Sequence, residues 1–103
     1  MALYNASKAF VHGLTRSIAM DHGPGVRCNA ICPGFVDTPM IDGFAKLAGA
    51  EADELRATLA SRTPMGRMLQ PEEIGHLAVY LGSDESSGMT GQAMAISNGM
   101  RMA

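Results

Sequence analysis

Only two stretches of this 103-residue chain, residues 26–32 and 92–97, alternate in the way a strand does, and helical patterns fill most of what separates them. Strands joined through helices run parallel. A parallel pair is normally buried on both faces, and two strands alone make a marginal sheet. The pattern therefore predicts an α/β fold and reads as the end of a larger parallel sheet. The remaining strands are expected to come from sequence outside these residues.

Glycine and proline set the boundaries. Residues 4–22 read as a helix, with Ser7, Val11, Leu14 and Ile18 at helical spacing and Ala6, Ala9 and Ala19 adding propensity. His22-Gly23-Pro24-Gly25 stops it, and Pro33-Gly34 ends the strand that follows. Residues 35–70 read as a loop holding two short helices. One opens at Thr38-Pro39, a capping hydroxyl with proline in the first turn, and places Met40, Phe44 and Leu47 on one face. The other spans about residues 50–61, with Leu55 and Leu59 on one side and Glu51, Asp53, Glu54 and Arg56 as a solvated face. Gln70-Pro71-Glu72-Glu73 begins a further helix through Ile74, Leu77, Ala78 and Leu81, its carboxylates favoured by the positive helix end. Residues 86–91 read as a turn, and Asn98-Gly99 turns the chain after the last strand.

Charge and composition narrow the function classes. Apolar residues make up 47% of the chain and charged ones 17%, with eight basic residues against ten acidic and a net charge of −2. Without a basic block there is no electrostatic footprint for nucleic acid. No apolar run approaches the ~18 residues of a membrane span, and no signal peptide is visible, so no membrane partner and a cytoplasmic setting are expected. Cys28 and Cys32, four apart on a strand, would lie about 13 Å from each other and are expected to be buried structural thiols. His12, His22 and His76 are scattered, without metal-ligand spacing, so no metal is expected.

The chemistry is concentrated at the start of the first helix. Tyr4 and Lys8 are four apart, so their side chains are neighbours on one face. A phenol with a free pKa near ~10 works as an acid or base at neutral pH only if that value falls by about three units, roughly 4 kcal/mol. One ammonium at ~5.5 Å supplies about 3 kcal/mol at an effective dielectric of about 20, and a second positive charge nearby closes the gap. The spacing alone is a weak motif.

The surroundings add weight. Tyr4-Asn5-Ala6-Ser7-Lys8-Ala9 is followed by Gly13-Leu14-Thr15-Arg16-Ser17, then Val26-Arg27-Cys28-Asn29-Ala30 and Pro33-Gly34-Phe35-Val36-Asp37-Thr38. Pro71-Glu72-Glu73-Ile74, Leu81-Gly82-Ser83-Asp84 and Thr90-Gly91-Gln92 complete the series. In order and spacing these resemble the C-terminal half of the short-chain dehydrogenase/reductase family, over essentially all of residues 3–99. The resemblance implies the C-terminal portion of a Rossmann-like, doubly wound parallel sheet, a single unit over residues 1–103. It also implies an oxidoreductase of CH–OH groups that uses NAD or NADP.

The same resemblance assigns roles. Tyr4 would be the catalytic acid/base, and Lys8 the residue that holds the nicotinamide ribose and lowers the phenol pKa, with an oxidised nicotinamide as the second positive charge. Pro33-Gly34 would form the turn beside the nicotinamide. Val36 by its backbone and Thr38 by its hydroxyl would bind the carboxamide, although Thr38 has the rival task of capping the helix after it. Residues 39–68 would cover the substrate; Phe35, Met40 and Phe44 would line it, and with Leu47, Met65 and Met68 the lid would be apolar, unless these side chains pack on the core instead. Expected substrates are small alcohols and ketones, 3-oxoacyl thioesters, sugars or polyols, and the expected assembly is a homodimer or homotetramer.

Three family features are missing from the sequence: the glycine-rich pyrophosphate turn, the residue that chooses between NAD and NADP, and the catalytic serine. Ser97-Asn98-Gly99 stands where many relatives have Asp-Gly-Gly. The chain is therefore expected to be a fragment, a truncated gene product or the product of a mis-called start, lacking the dinucleotide-binding part and inactive alone. The rival expectations are a non-catalytic association module, using the first helix, the late helix and the last strand, or a product with no function of its own.

Overall fold

β1 (Ala30–Pro33) and β2 (Ala93–Ile96) pair in parallel, with Ala30 N–H donating to the Gln92 carbonyl at 2.8 Å and Gly34 N–H to the Ile96 carbonyl at 2.8 Å. This computed structural model describes residues 1–100. The helices are α1 (Ala2–Asp21), α2 (Pro39–Leu47), α3 (Ala52–Ser61) and α4 (Pro71–Leu81), and a short 3-10 turn spans Asp84–Ser86. The α/β class expected from the sequence is the class observed.

β1 is shorter than the alternation predicts. Residues 26–29 lie outside it because loop groups have taken their hydrogen bonds. Cys28 N–H donates to Thr90 Oγ1 at 3.0 Å and its carbonyl accepts from Gly91 N–H at 2.7 Å. The Asn29 side chain donates to the Met89 carbonyl at 2.9 Å and accepts from Gln92 N–H at 3.1 Å. Alternation cannot tell such an extended loop from a ladder. The two cysteines, expected to be buried, are half-buried.

The chain divides into two compact units. The first comprises Met1–Ile31 and Ala78–Met94. Its α1 ends at His22, whose N–H donates to the Ile18 carbonyl at 3.0 Å, and the His22 carbonyl then receives Gly25 and Val26. The covered face of α1 carries Thr15 and Ala19 rather than Val11 and Leu14, which stay exposed. Ala19 is small enough for Gly91 to approach so closely that a Cβ there would sit 3.3 Å from the alanine methyl. Arg27, to which the sequence assigns no role, organises this unit. Its Nη2 donates to the carbonyls of Leu81 and Ser83 at 2.9 and 3.1 Å. Its Nη1 donates to the carbonyls of Ser86 and Met89 at 2.9 and 3.0 Å and to Ser86 Oγ at 3.2 Å.

The second unit comprises Cys32–Leu77 and, among the described residues, 95–100. Here α2 and α3 pack together, and Ile41, Ala45, Met68 and Leu69 are buried. Met40, Phe44, Leu47 and Met65 are exposed, whereas Met68 joins the core. Thr38 occupies the N-cap position of α2 with extended backbone, yet its hydroxyl makes no cap hydrogen bond, contrary to the capping role read from Thr38-Pro39. Its carbonyl alone serves the helix start, accepting from Ile41 N–H at 3.0 Å. At the start of α4, by contrast, Glu73 reaches back to Gln70 N–H at 2.8 Å while its own N–H donates to the Gln70 carbonyl at 3.0 Å. This reciprocal arrangement satisfies two donors of the first turn.

The turn after β2 follows the sequence expectation. Asn98 and Gly99 both have left-handed backbone, φ 53° and 90°, and Met100 N–H closes the turn on the Ser97 carbonyl at 3.1 Å. Asn98 is buried, and its amide donates to the Arg67 carbonyl at 2.7 Å. Among the described residues, no helix is long and apolar enough to cross a membrane.

Candidate active site

Alanines and a long run without glycine or proline let α1 continue unbroken through Tyr4 and Lys8, one helical turn apart. The two side chains share a face, and Lys8 Nζ lies 5.4 Å from the centroid of the Tyr4 ring. At that distance the ammonium is attracted to the ring face as well as by any negative charge on the phenol oxygen. Tyr4 is 58% exposed, so its hydroxyl is accessible to a reactant. Ser7 Oγ donates to the Tyr4 carbonyl at 2.7 Å, a bond along the helix that leaves the phenol uninvolved.

The other candidate residues follow one another in the second unit, from the end of β1 into α2. Gly34 is needed for a reason the sequence did not show: a Cβ there would stand 2.9 Å from Ser97 Cα and 3.0 Å from Ser97 Cβ. Close approach of the chain itself demands glycine here, independently of any cofactor. Pro33, Gly34, Cys32, Ser97 and Met100 line a cavity of about 230 Å³. Beyond it, the Phe35 carbonyl accepts from Leu69 N–H and Asp37 N–H donates to the Leu69 carbonyl, both at 2.8 Å. Val36 thus forms an isolated parallel bridge with Leu69, and its own N–H and carbonyl point the opposite way. Phe35, Val36 and Thr38 are half-buried, while Met40 and Phe44 project from α2 into solvent.

Arg56 on α3 is not part of a merely solvated face. Its Nε donates to Asp37 Oδ1 at 2.8 Å, its Nη2 to Asp42 Oδ2 at 3.1 Å and its Nη1 to Asp53 Oδ1 at 3.5 Å. The carboxylates of Asp42 and Asp37 hold the guanidinium well above its ordinary range. Of these contacts only Asp53, three residues away on the same helix, was visible as a spacing. A second cavity, about 420 Å³, is bordered by Asp37, Arg56, Arg67 and Gln70. Arg67 in turn grips both oxygens of Glu73 at 2.8 Å. With the Gln70 N–H, it pushes that carboxyl down to about 2.

The structure thus presents an exposed phenol–ammonium pair on an α/β scaffold, and comparison with known proteins places that scaffold. A family model described as enoyl-(acyl carrier protein) reductase matches residues 1–101. The 2-keto-3-deoxy-L-fuconate dehydrogenase of Xanthomonas campestris pv. campestris is 45% identical over 98 residues, which are 94% of this chain and 33% of that protein. Dehydrogenase/reductase SDR family member 6 of Danio rerio is 43% identical over 101 residues, 97% of this chain and 41% of that protein. The ligand-free aldohexose dehydrogenase of Thermoplasma acidophilum superimposes with a TM-score of 0.91 at 35% identity, covering 96% of this chain and 40% of that one. The chain belongs to the short-chain dehydrogenase/reductase family. It spans about a third to two-fifths of the length of these relatives.

Proposed function

We propose that these residues form the catalytic part of an NAD(P)-dependent oxidoreductase that interconverts a small secondary alcohol and its ketone. The observation that carries the reading is the Tyr4–Lys8 pair, on one face of α1 with the ammonium 5.4 Å from the ring centroid. In the reducing direction Tyr4 gives its phenolic proton to the carbonyl oxygen; in the oxidising direction its phenolate takes the proton from the hydroxyl. Lys8 stabilises that phenolate and holds the nicotinamide ribose. The nicotinamide, when bound, supplies or accepts the hydride. The residues around Val36 fit its carboxamide: the Val36 backbone groups face away from Leu69, and the Thr38 hydroxyl does not cap α2. The exposed Met40 and Phe44 on α2 are suited to meet the apolar parts of a substrate. The named activities of two relatives, on a 2-keto-3-deoxy sugar acid and on aldohexoses, favour a polyhydroxylated substrate among the ketones, 3-oxoacyl thioesters and sugars that the family suggests.

The 103 residues contain no glycine-rich pyrophosphate turn. As an isolated polypeptide they are therefore expected to show no turnover. Joined to the dinucleotide-binding N-terminal part of a family relative, they are expected to reduce a ketose or keto sugar acid with NADH or NADPH. Tyr4→Phe should lower kcat by about 10²–10⁴-fold without a comparable change in KM. A fusion that reduces carbonyls equally well with Phe at this position would remove Tyr4 from the chemistry.

A further inference from the structure

We propose that Arg56 is a positioning residue that brackets the start of α2, fixing Asp37 and Thr38 so that the Thr38 hydroxyl is left available for a ligand. This rests on the reading of Val36 and Thr38 as the carboxamide-binding positions. A helix start is ordinarily secured by the side chain at its N-cap, and Thr38 occupies that position without making the bond. Something else must hold residues 37–42 in place. One guanidinium does so from α3: Nε binds Asp37, just before Thr38, and Nη2 binds Asp42, in the first turn of α2. Thr38 lies between the two anchored aspartates, inside a loop that the guanidinium closes.

The geometry is suited to arginine alone. Separate N–H groups of a planar fork reach two carboxylates at 2.8 and 3.1 Å, which a single ammonium on a flexible stem does not reproduce. Asp37 is held twice over, its backbone N–H by Leu69 and its carboxylate by Arg56, so neither end of the residue can turn. The side-chain exposure of Arg56 is 26% and that of Asp37 is 33%, so this contact is better sheltered from solvent than the one to Asp42, at 56%. The third partner, Asp53, is 96% exposed at 3.5 Å and contributes little to the bracket. In this arrangement the ion pairs replace the cap, and the capping hydroxyl becomes a recognition group.

The test uses the whole 103-residue chain and requires neither cofactor nor Tyr4. Backbone amide exchange and the Arg56 Nε–H resonance would be followed by NMR in the wild type, Arg56→Lys, Asp37→Asn and Asp42→Asn. Arg56→Lys is expected to speed exchange of the Asp37 and Ile41 amides by about tenfold or more, while the amides inside α3 change by less than about twofold. Asp37→Asn should reproduce the effect at Asp37 and shift or broaden the Arg56 Nε–H signal, and Asp42→Asn should act mainly at Ile41. Unchanged exchange at Asp37 and Ile41 in both Arg56→Lys and Asp37→Asn would overturn the proposal. So would an equal loss of protection throughout α2 and α3, which marks general loosening instead of a bracket. Because Tyr4 takes no part, failure here leaves the catalytic reading standing, and a failed Tyr4→Phe experiment leaves this result intact.

Discussion

At Gly34 one missing methyl group separates a tolerated sequence from a strained one. The obstruction to a Cβ is Ser97 Cα at 2.9 Å, which is backbone and cannot swing aside like the tip of a long side chain. Gly34→Ala should therefore cost about 1–3 kcal/mol through forced displacement of one strand end from the other, read as a lowered urea midpoint. An unchanged midpoint would mean that this end of the pairing yields easily. Arg27 presents the opposite case, a side chain whose value lies in its number of partners. It serves the carbonyls of Leu81, Ser83, Ser86 and Met89 from one guanidinium, so Arg27→Lys keeps the charge but abandons most of those acceptors. A loss of about 2–4 kcal/mol in urea unfolding is expected, nearly as large as for Arg27→Ala. The two arginines also mark what a sequence hides. Tyr4 and Lys8 can be seen as neighbours because a helix fixes what lies four residues away. The partners of Arg27 are 54 to 62 residues distant and those of Arg56 include one 19 away, and no local period brings them together.

The helices were legible to within a residue or two at most ends, because apolar spacing and glycine or proline punctuation act locally. The first strand was not, since residues 26–29 alternate like a strand but have Thr90, Met89 and Gln92 as partners in place of a ladder. Helix starts were legible in position but not always in mechanism. Thr38-Pro39 has the composition of a capped start and lacks the side-chain cap, whereas at Gln70 the Glu73 carboxylate reaches back to the backbone N–H. The second start is pH-sensitive. Glu73 falls from its ordinary value of 4.5 to about 2 through hydrogen bonds from Arg67 and from the Gln70 N–H. A depressed acid stabilises the folded state in full above the unfolded value and loses that contribution as pH falls through the folded one. The stability difference between wild type and Glu73→Gln should be constant from neutral pH down to about 5 and shrink between about 4.5 and about 2. Thermal midpoints of both proteins across that range would check it. A difference that persists unchanged at the acid end would assign the role to packing and not to charge.

Across the whole molecule, the residues proposed to do the chemistry sit where the chain gives least support. All of residues 1–11 are exposed, among them Leu3 at 88% and Phe10 at 67%, while the covered positions of α1, Thr15 and Ala19, belong to its second half. The N-terminus of α1 also lacks a side-chain cap and carries no acidic residue in its first turn. Isolated helical stretches shorter than ~12–15 residues are marginal in water, because each turn must offset the cost of nucleation without tertiary contacts. In a dilute solution of the 103-residue chain, the amides of residues 5–11 should exchange within about tenfold of coil rates, while those of residues 15–21 are slower by about 10² or more. Uniform protection along α1 would require its exposed apolar side chains to be covered by another copy, and size-exclusion chromatography with light scattering would reveal that association. With fraying confined to the first half, the fixed distance between the Tyr4 ring and the Lys8 ammonium becomes a property of the assembled protein.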